Sequence, residues 1–202
     1  MRTVPALFVD ARGVYAGREA VELWDVERDA RRYRGPHPVV AHPPCERWGR
    51  YWSGGPSAKV KRKLGDDGGC FEAALEAVRT FGGVLEHPEA SRAWHVYALP
   101  RPQRAGGWQR GLCGGWSCYI EQGGYGHQAR KGTWLYAFGA DELPRLRWGR
   151  APGDFVRLDH GYHDAGERQA APARPSRDRT QIARTPVELA GILVDLARRC
   201  SA

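Results

Sequence analysis

The sequence predicts an α/β fold: one open sheet, mostly parallel, with an antiparallel hairpin towards the C-terminus. Three observations predict it. Short β-branched or aromatic runs recur through the first 90 residues, and a helical repeat separates two of them. Two further runs, SCYIEQ (117–122) and TWLYAF (133–138), flank a short glycine-rich loop, the spacing of a hairpin. The chain then closes on a strongly amphipathic segment, 185–199.

Taken in order, PALFVD (5–10), VELWDV (21–26) and PVVA (38–41) read as strands. The third ends at His42-Pro43-Pro44-Cys45, because two prolines cannot continue a hydrogen-bond ladder. Residues 46–69 are polar, glycine-rich and basic and read as a loop or lid. FEAALEAVRTF (71–81) places Phe71, Ala74, Leu75 and Val78 at helical spacing, and Gly82-Gly83 stops it. Val84 to Glu86 is a short strand halted by Pro88, 91–99 a short helix, and 100–115 a loop. Pro, Arg, Asp and Gly dominate 149–179, which reads as an arm. Thr185 fits an N-cap with Pro186 at the first helical position, and Leu189, Ile192, Leu193 and Leu196 form the buried stripe. Residues 1–148 and 180–202 thus make one domain, with 149–179 as its appendage.

A chain of 202 residues with 42% hydrophobic residues can bury one sizeable core. No apolar run approaches the roughly 20 residues that span a bilayer, and the first residues lack the features of a signal peptide. The five cysteines are an odd number without a CxxC pair. A cytoplasmic protein with reduced thiols is the expectation. The net charge of +8 favours a polyanionic partner, DNA or a nucleotide.

Reactive side chains gather on three loops at strand ends. The first carries His42 and Cys45, the second Glu86 and His87, the third His127, Gln128, Arg130 and Lys131. Side-by-side strands would turn all three towards one cleft. Cys45 is a candidate nucleophile, and Arg47 or Arg130 a cation that would favour its thiolate. Trp48 and Lys61, in the basic loop, are candidate base-stacking and phosphate contacts. His42, Cys45, His87 and His127 are also residue types that zinc accepts, but their spacing matches no common zinc module, so no metal is expected.

The ordered set Pro43-Pro44-Cys45, Glu86, and Tyr125-Gly126-His127-Gln128-Ala129-Arg130 before an aromatic strand resembles the cytosine-C5 DNA methyltransferases. The layout is similar to small, reduced phage and prophage versions of that family, whose proteins work in a bacterial host cytoplasm. The resemblance implies a Rossmann-like sheet, Cys45 attacking C6 of a flipped cytosine, Glu86 at N3, and Arg130 supporting the activated base. Pro44, His42, His87, His127 and Gln128 would line the base pocket. The resemblance also implies S-adenosylmethionine as donor, with Asp10, Gly13 and Asp25 at the positions of its pocket. Several residues depart from the pattern: Arg12 replaces a small residue in the first turn, and only about ten residues separate strands one and two, too few for a crossover helix. His42 stands for a glycine, His87 for an asparagine, and Gly132 for the second arginine of the hairpin motif. The cofactor half is therefore shortened and the donor open. Two other readings follow: a non-catalytic DNA-binding or decoy protein on the same fold, or an enzyme acting on free pyrimidine nucleotides.

Overall fold

The computed structural model describes residues 1–54, 59–153, 155–156 and 183–201. Seven strands form one mixed sheet: β1 (Val4–Leu7), β2 (Val21–Trp24), β3 (Val39–Ala41), β4 (Gly83–Pro88), β5 (Gln109–Arg110), β6 (Trp116–Glu121) and β7 (Gly132–Phe138). Their order across the sheet is β2-β1-β3-β4-β7-β6-β5. Pairs β2-β1, β1-β3 and β3-β4 are parallel, while β4-β7, β7-β6 and β6-β5 are antiparallel. The sheet is parallel at one end and antiparallel at the other, so "mostly parallel" is corrected to a half-and-half sheet. The additional antiparallel member, β5, lies inside the stretch expected to be loop. Two residues are too short to leave a pattern in the sequence.

One helix covers each face. Helix α1 (Cys70–Phe81) buries Phe71, Ala74, Leu75, Ala77 and Val78. They pack against Leu7, Val39, Ala41, Leu85 and Tyr136. The last helix, α3 (Val187–Arg198), buries Leu189, Leu193 and Leu196 against Val4, Val40, Val84 and Leu135 on the opposite face. Each such side chain contributes roughly 1.5–3 kcal/mol by leaving water. A single turn, α2 (Ala93–Val96), follows β4. Pro186, not Thr185, is the residue flanking α3, and no side chain caps it. Its carbonyl accepts the first helical bond, from the Ala190 N–H. Among the described residues no helix is long and apolar enough to cross a membrane.

Gly83 has φ +130°, and a Cβ there would collide with the backbone of Val39. Glycine at this position lets α1 end and β4 lie directly on β3, which aligns Leu85 with Ala41.

No helix joins β1 to β2; residues 8–20 connect the two parallel strands through reverse turns. Strand order reverses beside β1, since β2 and β3 lie on its two sides. The crevice at the carboxyl ends of β1 and β3 is thus the switch point where open α/β sheets take ligands. Most of the expected arm, 157–179, lies outside the described residues. Its first residues are packed: Ala151 is buried and donates its N–H to Glu121 (2.9 Å), and the Val156 N–H donates to the Gln128 carbonyl (2.9 Å).

Candidate active site

The His42 N–H still bonds across to the Leu7 carbonyl (3.0 Å), continuing the parallel ladder one residue past β3. Pro43 and Pro44 have no N–H to offer, so the chain leaves the sheet there. Pro44 and Cys45 are exposed. The Cys45 carbonyl then accepts from the Trp48 (3.0 Å) and Gly49 (2.8 Å) N–H groups, closing a tight turn. Trp48 pegs this turn to the core. Its indole N–H donates to Asp67 (2.8 Å), its carbonyl accepts from the Arg92 N–H (2.8 Å), and its ring packs on Phe71 and Tyr97. Trp48 is therefore corrected from a base-stacking surface to a buried anchor, because at 4% exposure it has no face to offer.

Strand β4, paired with the strand that leads to Cys45, carries Glu86, 8% exposed, inside a chain of hydrogen bonds. Glu86 Oε2 lies 3.0 Å from His42 Nδ1, and His42 Nε2 lies 2.7 Å from the Tyr15 hydroxyl. Gln122, wholly buried at the end of β6, donates from Nε2 to Glu86 Oε1 (2.9 Å) and to Thr133 Oγ1 (3.0 Å). The Oε1 atom of Gln122 has no partner among the described residues. Turning its amide towards Glu86 leaves that cost in place, as expected if Glu86 is an acceptor and not a donor.

Burial alone would raise the Glu86 carboxyl. The His42 hydrogen bond and the positive charge of Lys131 outweigh it, and the group falls to about 2. Burial is also the leading influence on Cys45: although the residue reaches solvent, its surrounding walls and the Glu86 charge raise the thiol, with Lys131 acting against them. Desolvation lowers the Lys131 ammonium, which Glu86 and Cys45 partly restore. The resting site is thus a carboxylate, a protonated thiol and one cation that interacts with both.

That cation is Lys131, not Arg130. Arg130 lies 3.5 Å from Glu121, donates to the Gly153 carbonyl (3.3 Å) and covers the Phe155 ring. Lys131 adopts φ +43°, a left-handed conformation uncommon for a side chain without turn chemistry, and donates to the Ala183 (3.2 Å) and Arg184 (3.0 Å) carbonyls. Strain of this kind gathers at functional sites.

The remaining expected residues are dispersed. His127 is buried, with Nδ1 engaged by the Ala129 backbone at 2.9–3.0 Å, and Gln128 is exposed at the hairpin tip. Lys61 is exposed on its loop. His87 lies on the other face of β4, wholly buried between Phe71 and Trp94 with Nδ1 on Ser91 (2.8 Å), so it is corrected from a pocket residue to a core residue. Burial lowers it to about 4 despite the nearby Glu86 charge. Among the described residues no three His, Cys, Asp or Glu side chains are grouped to hold a metal ion. Of the remaining cysteines, Cys118 and Cys200 are buried as packing residues, whereas Cys113 is exposed.

The turn after β1 does not make the cradle that a nucleoside cofactor of the resembled family would need. The exposed Asp10 accepts from the Arg12 N–H (2.8 Å), and a Cβ on Gly13 would meet the Asp10 carbonyl at 3.0 Å. Tyr15, 3% exposed, projects to the switch point and occupies it by bonding His42. Asp25 is engaged by the Glu27 (3.0 Å) and Arg28 (3.1 Å) N–H groups. Without a helix after β1 there are no helix N-terminal amides for an anion or carboxylate.

The chain matches no family model and no curated protein sequence.

Tyr15 and Gln122 were not signalled by the sequence. Tyr15 stands in a turn-rich stretch and Gln122 ends an apolar strand. A lone polar residue closing a buried strand was the one available sign for the second.

Proposed function

We propose that this protein modifies a pyrimidine base, cytosine in DNA foremost, through covalent addition of Cys45 to ring carbon C6. One observation carries the reading: Cys45, in the Pro-Pro turn that follows β3, and Glu86, on the adjacent parallel strand β4, have Lys131 as their common cation, and the Glu86 charge raises the Cys45 thiol. The net charge of +8 supports a polyanionic substrate.

The Cys45 thiol, protonated at rest, gives up its proton to solvent, and its thiolate then forms the S–C6 bond. The C5=C6 electron pair shifts to C4=C5, and the N3=C4 pair settles on N3, which takes a proton. Carbon C5 becomes nucleophilic and accepts a proton or an electrophilic one-carbon group as N3 releases its proton and the N3=C4 bond re-forms; loss of a C5 proton then restores C5=C6 and expels the thiolate. Lys131 stabilises the thiolate, and Glu86 faces N3 and the exocyclic amino group. This first half needs no donor, so it stands whatever group is transferred. A duplex base must be turned out of the stack to reach Cys45.

Oligonucleotides carrying 2-pyrimidinone, which lacks the 4-amino group and adds thiols readily, test the reading by denaturing electrophoresis and intact mass. The expected result is a one-to-one adduct, together with exchange of cytosine C5 hydrogen into D2O. Cys45→Ser lowers both by more than about 100-fold. An adduct that persists in Cys45→Ser overturns the mechanism. Exchange on the monophosphate but not on oligonucleotides moves the substrate to free nucleotides, and DNA binding with neither adduct nor exchange favours a non-catalytic binding protein.

A further inference from the structure

Tyr15, His42 and Glu86 come from three separate places: the turn after β1, the first residue past β3, and the middle of β4. They meet in one line of hydrogen bonds of 2.7 and 3.0 Å across the switch point. An ionised carboxylate only accepts, so His42 must carry a hydrogen on Nδ1. Nε2 then either accepts from the Tyr15 hydroxyl or, in the doubly protonated ring, donates to it. Both arrangements keep Nδ1 aimed at Glu86. Tyr15 does not release its own proton, because burial and the Glu86 charge push its hydroxyl far above the usual phenol range. Its part is to fix the ring.

We propose that the Tyr15–His42 pair is a proton store for Glu86: His42 hands the proton on Nδ1 to Glu86 Oε2, and Glu86 hands it to the ring nitrogen of the bound base. The proposal rests on the pyrimidine reading for its ligand. Its balance is closed. The imidazolium loses one proton and becomes the neutral Nε2–H ring, still bonded to Tyr15. The carboxylate gains that proton and returns to a carboxylate when N3, carrying the electron pair displaced by S–C6 bond formation, takes it. No oxidant or other reactant is required.

Four features favour this route. Gln122 occupies Glu86 Oε1, which leaves Oε2, the atom facing His42, to receive a proton. Both ring nitrogens of His42 are engaged, Nε2 by Tyr15 and Nδ1 by Glu86, so the proton that N3 releases as C5 reacts returns to His42 by the same path in reverse. Lys131, the other nearby cation, already directs N–H groups to the carbonyls of Ala183 and Arg184. A carboxyl held near 2 carries almost no proton of its own at neutral pH, so an acid role for it requires a supplier. The titratable and charged groups around the pair are Tyr15 and Arg18 from the first turn, Cys45 from the Pro-Pro turn, His87 from β4 and Lys131 from the hairpin. His42 and Tyr15 act through Glu86 and are positioning residues.

The test combines two readouts on wild type, His42→Gln and Tyr15→Phe. The first is titration of the Glu86 carboxyl carbon by NMR in 13C-labelled protein. The expected midpoint in His42→Gln rises by at least about one pH unit, with a smaller rise in Tyr15→Phe. An unchanged midpoint in His42→Gln overturns the proposal. The second is C5-hydrogen exchange of a cytosine oligonucleotide against pH. Wild type loses rate on the alkaline side. His42→Gln is slower by about tenfold or more, with KM within about twofold, and has no such limb. A His42→Gln profile that keeps the wild-type shape at lower amplitude assigns His42 a purely structural role and overturns the proposal. If wild type gives neither adduct nor exchange, the pyrimidine reading fails, and the carboxyl titration alone decides whether His42 governs Glu86.

Discussion

Glu86 and His87 are consecutive residues of β4, yet they belong to different environments. The two-residue period of a strand sends Glu86 to the face of α3 and His87 to the face of α1. On the first face Glu86 meets His42, Tyr15, Gln122 and Lys131, all polar, at the edge beside an exposed thiol. On the second, His87 is enclosed by Phe71 and Trp94, with Trp134 beyond, and bonds only Ser91 among the described side chains. The two histidines near Glu86 differ accordingly. His42 reaches solvent and hydrogen-bonds two titratable groups, whereas His87 is kept neutral by burial. Residue type and proximity to a carboxylate do not decide a histidine's role; its face of the sheet does.

Emptying the aromatic face is the most severe way to break this contrast. Trp94 is 3% exposed and donates its indole N–H to Ser117 (3.1 Å). Trp94→Ala is expected to cost about 3–5 kcal/mol, from a cavity and an unpartnered Ser117 hydroxyl. Urea unfolding followed by circular dichroism measures the shift in midpoint. Adduct formation per folded molecule stays within about threefold of wild type if the α1 face only supports the fold. A proportionate loss of adduct in the folded fraction would join the two faces into one site.

The aromatic face and the site were unequally legible in the sequence, for a physical reason. Helix α1 and its stripe, the end of β3 and the β6-β7 hairpin follow from local period and from proline and glycine chemistry, which neighbours in the chain determine. Cys45 stood out because two prolines end its strand and leave it accessible, whereas Glu86, expected at a strand end, lies inside β4 and is buried. The bonds that define the site span long separations instead: Tyr15 to His42 over 27 residues, Gln122 to Glu86 over 36. No local pattern encodes them. Trp48 misled because a basic, glycine-rich loop reads as exposed, whereas the bond to Asp67 turns its indole inward. Choosing Lys131 over Arg130 required the partners that the closed hairpin gives each of them, Glu121 and Phe155 for Arg130, Cys45 and Glu86 for Lys131.

Lys131 sharpens the contrast on the polar face alone. Lys131→Met removes the only cation that acts on both Cys45 and Glu86 among the described shifts. The expected loss in adduct formation is about 30-fold, roughly 2 kcal/mol, while the urea midpoint moves little because the side chain belongs to neither core cluster. Arg130→Met, whose guanidinium faces Glu121 and Phe155, is expected to keep the adduct rate within about threefold. A larger effect from Arg130 than from Lys131 reverses the assignment.

His87 gives the most selective effect, confined to one pH window and absent at neutral pH. Its folded value, about 4, lies below the ordinary histidine value of 6.5, so between those limits the unfolded chain binds a proton that the folded chain refuses. Stability from this group is complete above the unfolded value and is lost as pH falls towards the folded one, with a slope near 1.4 kcal/mol per pH unit inside the window. Glu86 acts in the same direction lower down: lowered to about 2, it withdraws its contribution between the ordinary carboxylate value of 4.5 and 2. The two windows meet near pH 4, so they are separable. His87→Gln should flatten the stability curve from about pH 6.5 to 4 and leave the steeper acid region in place. Urea midpoints taken every half unit resolve the difference. A slope unchanged in His87→Gln would show that His87 charges freely inside its aromatic enclosure, and the distinction between the two faces of β4 would then lose its electrostatic basis.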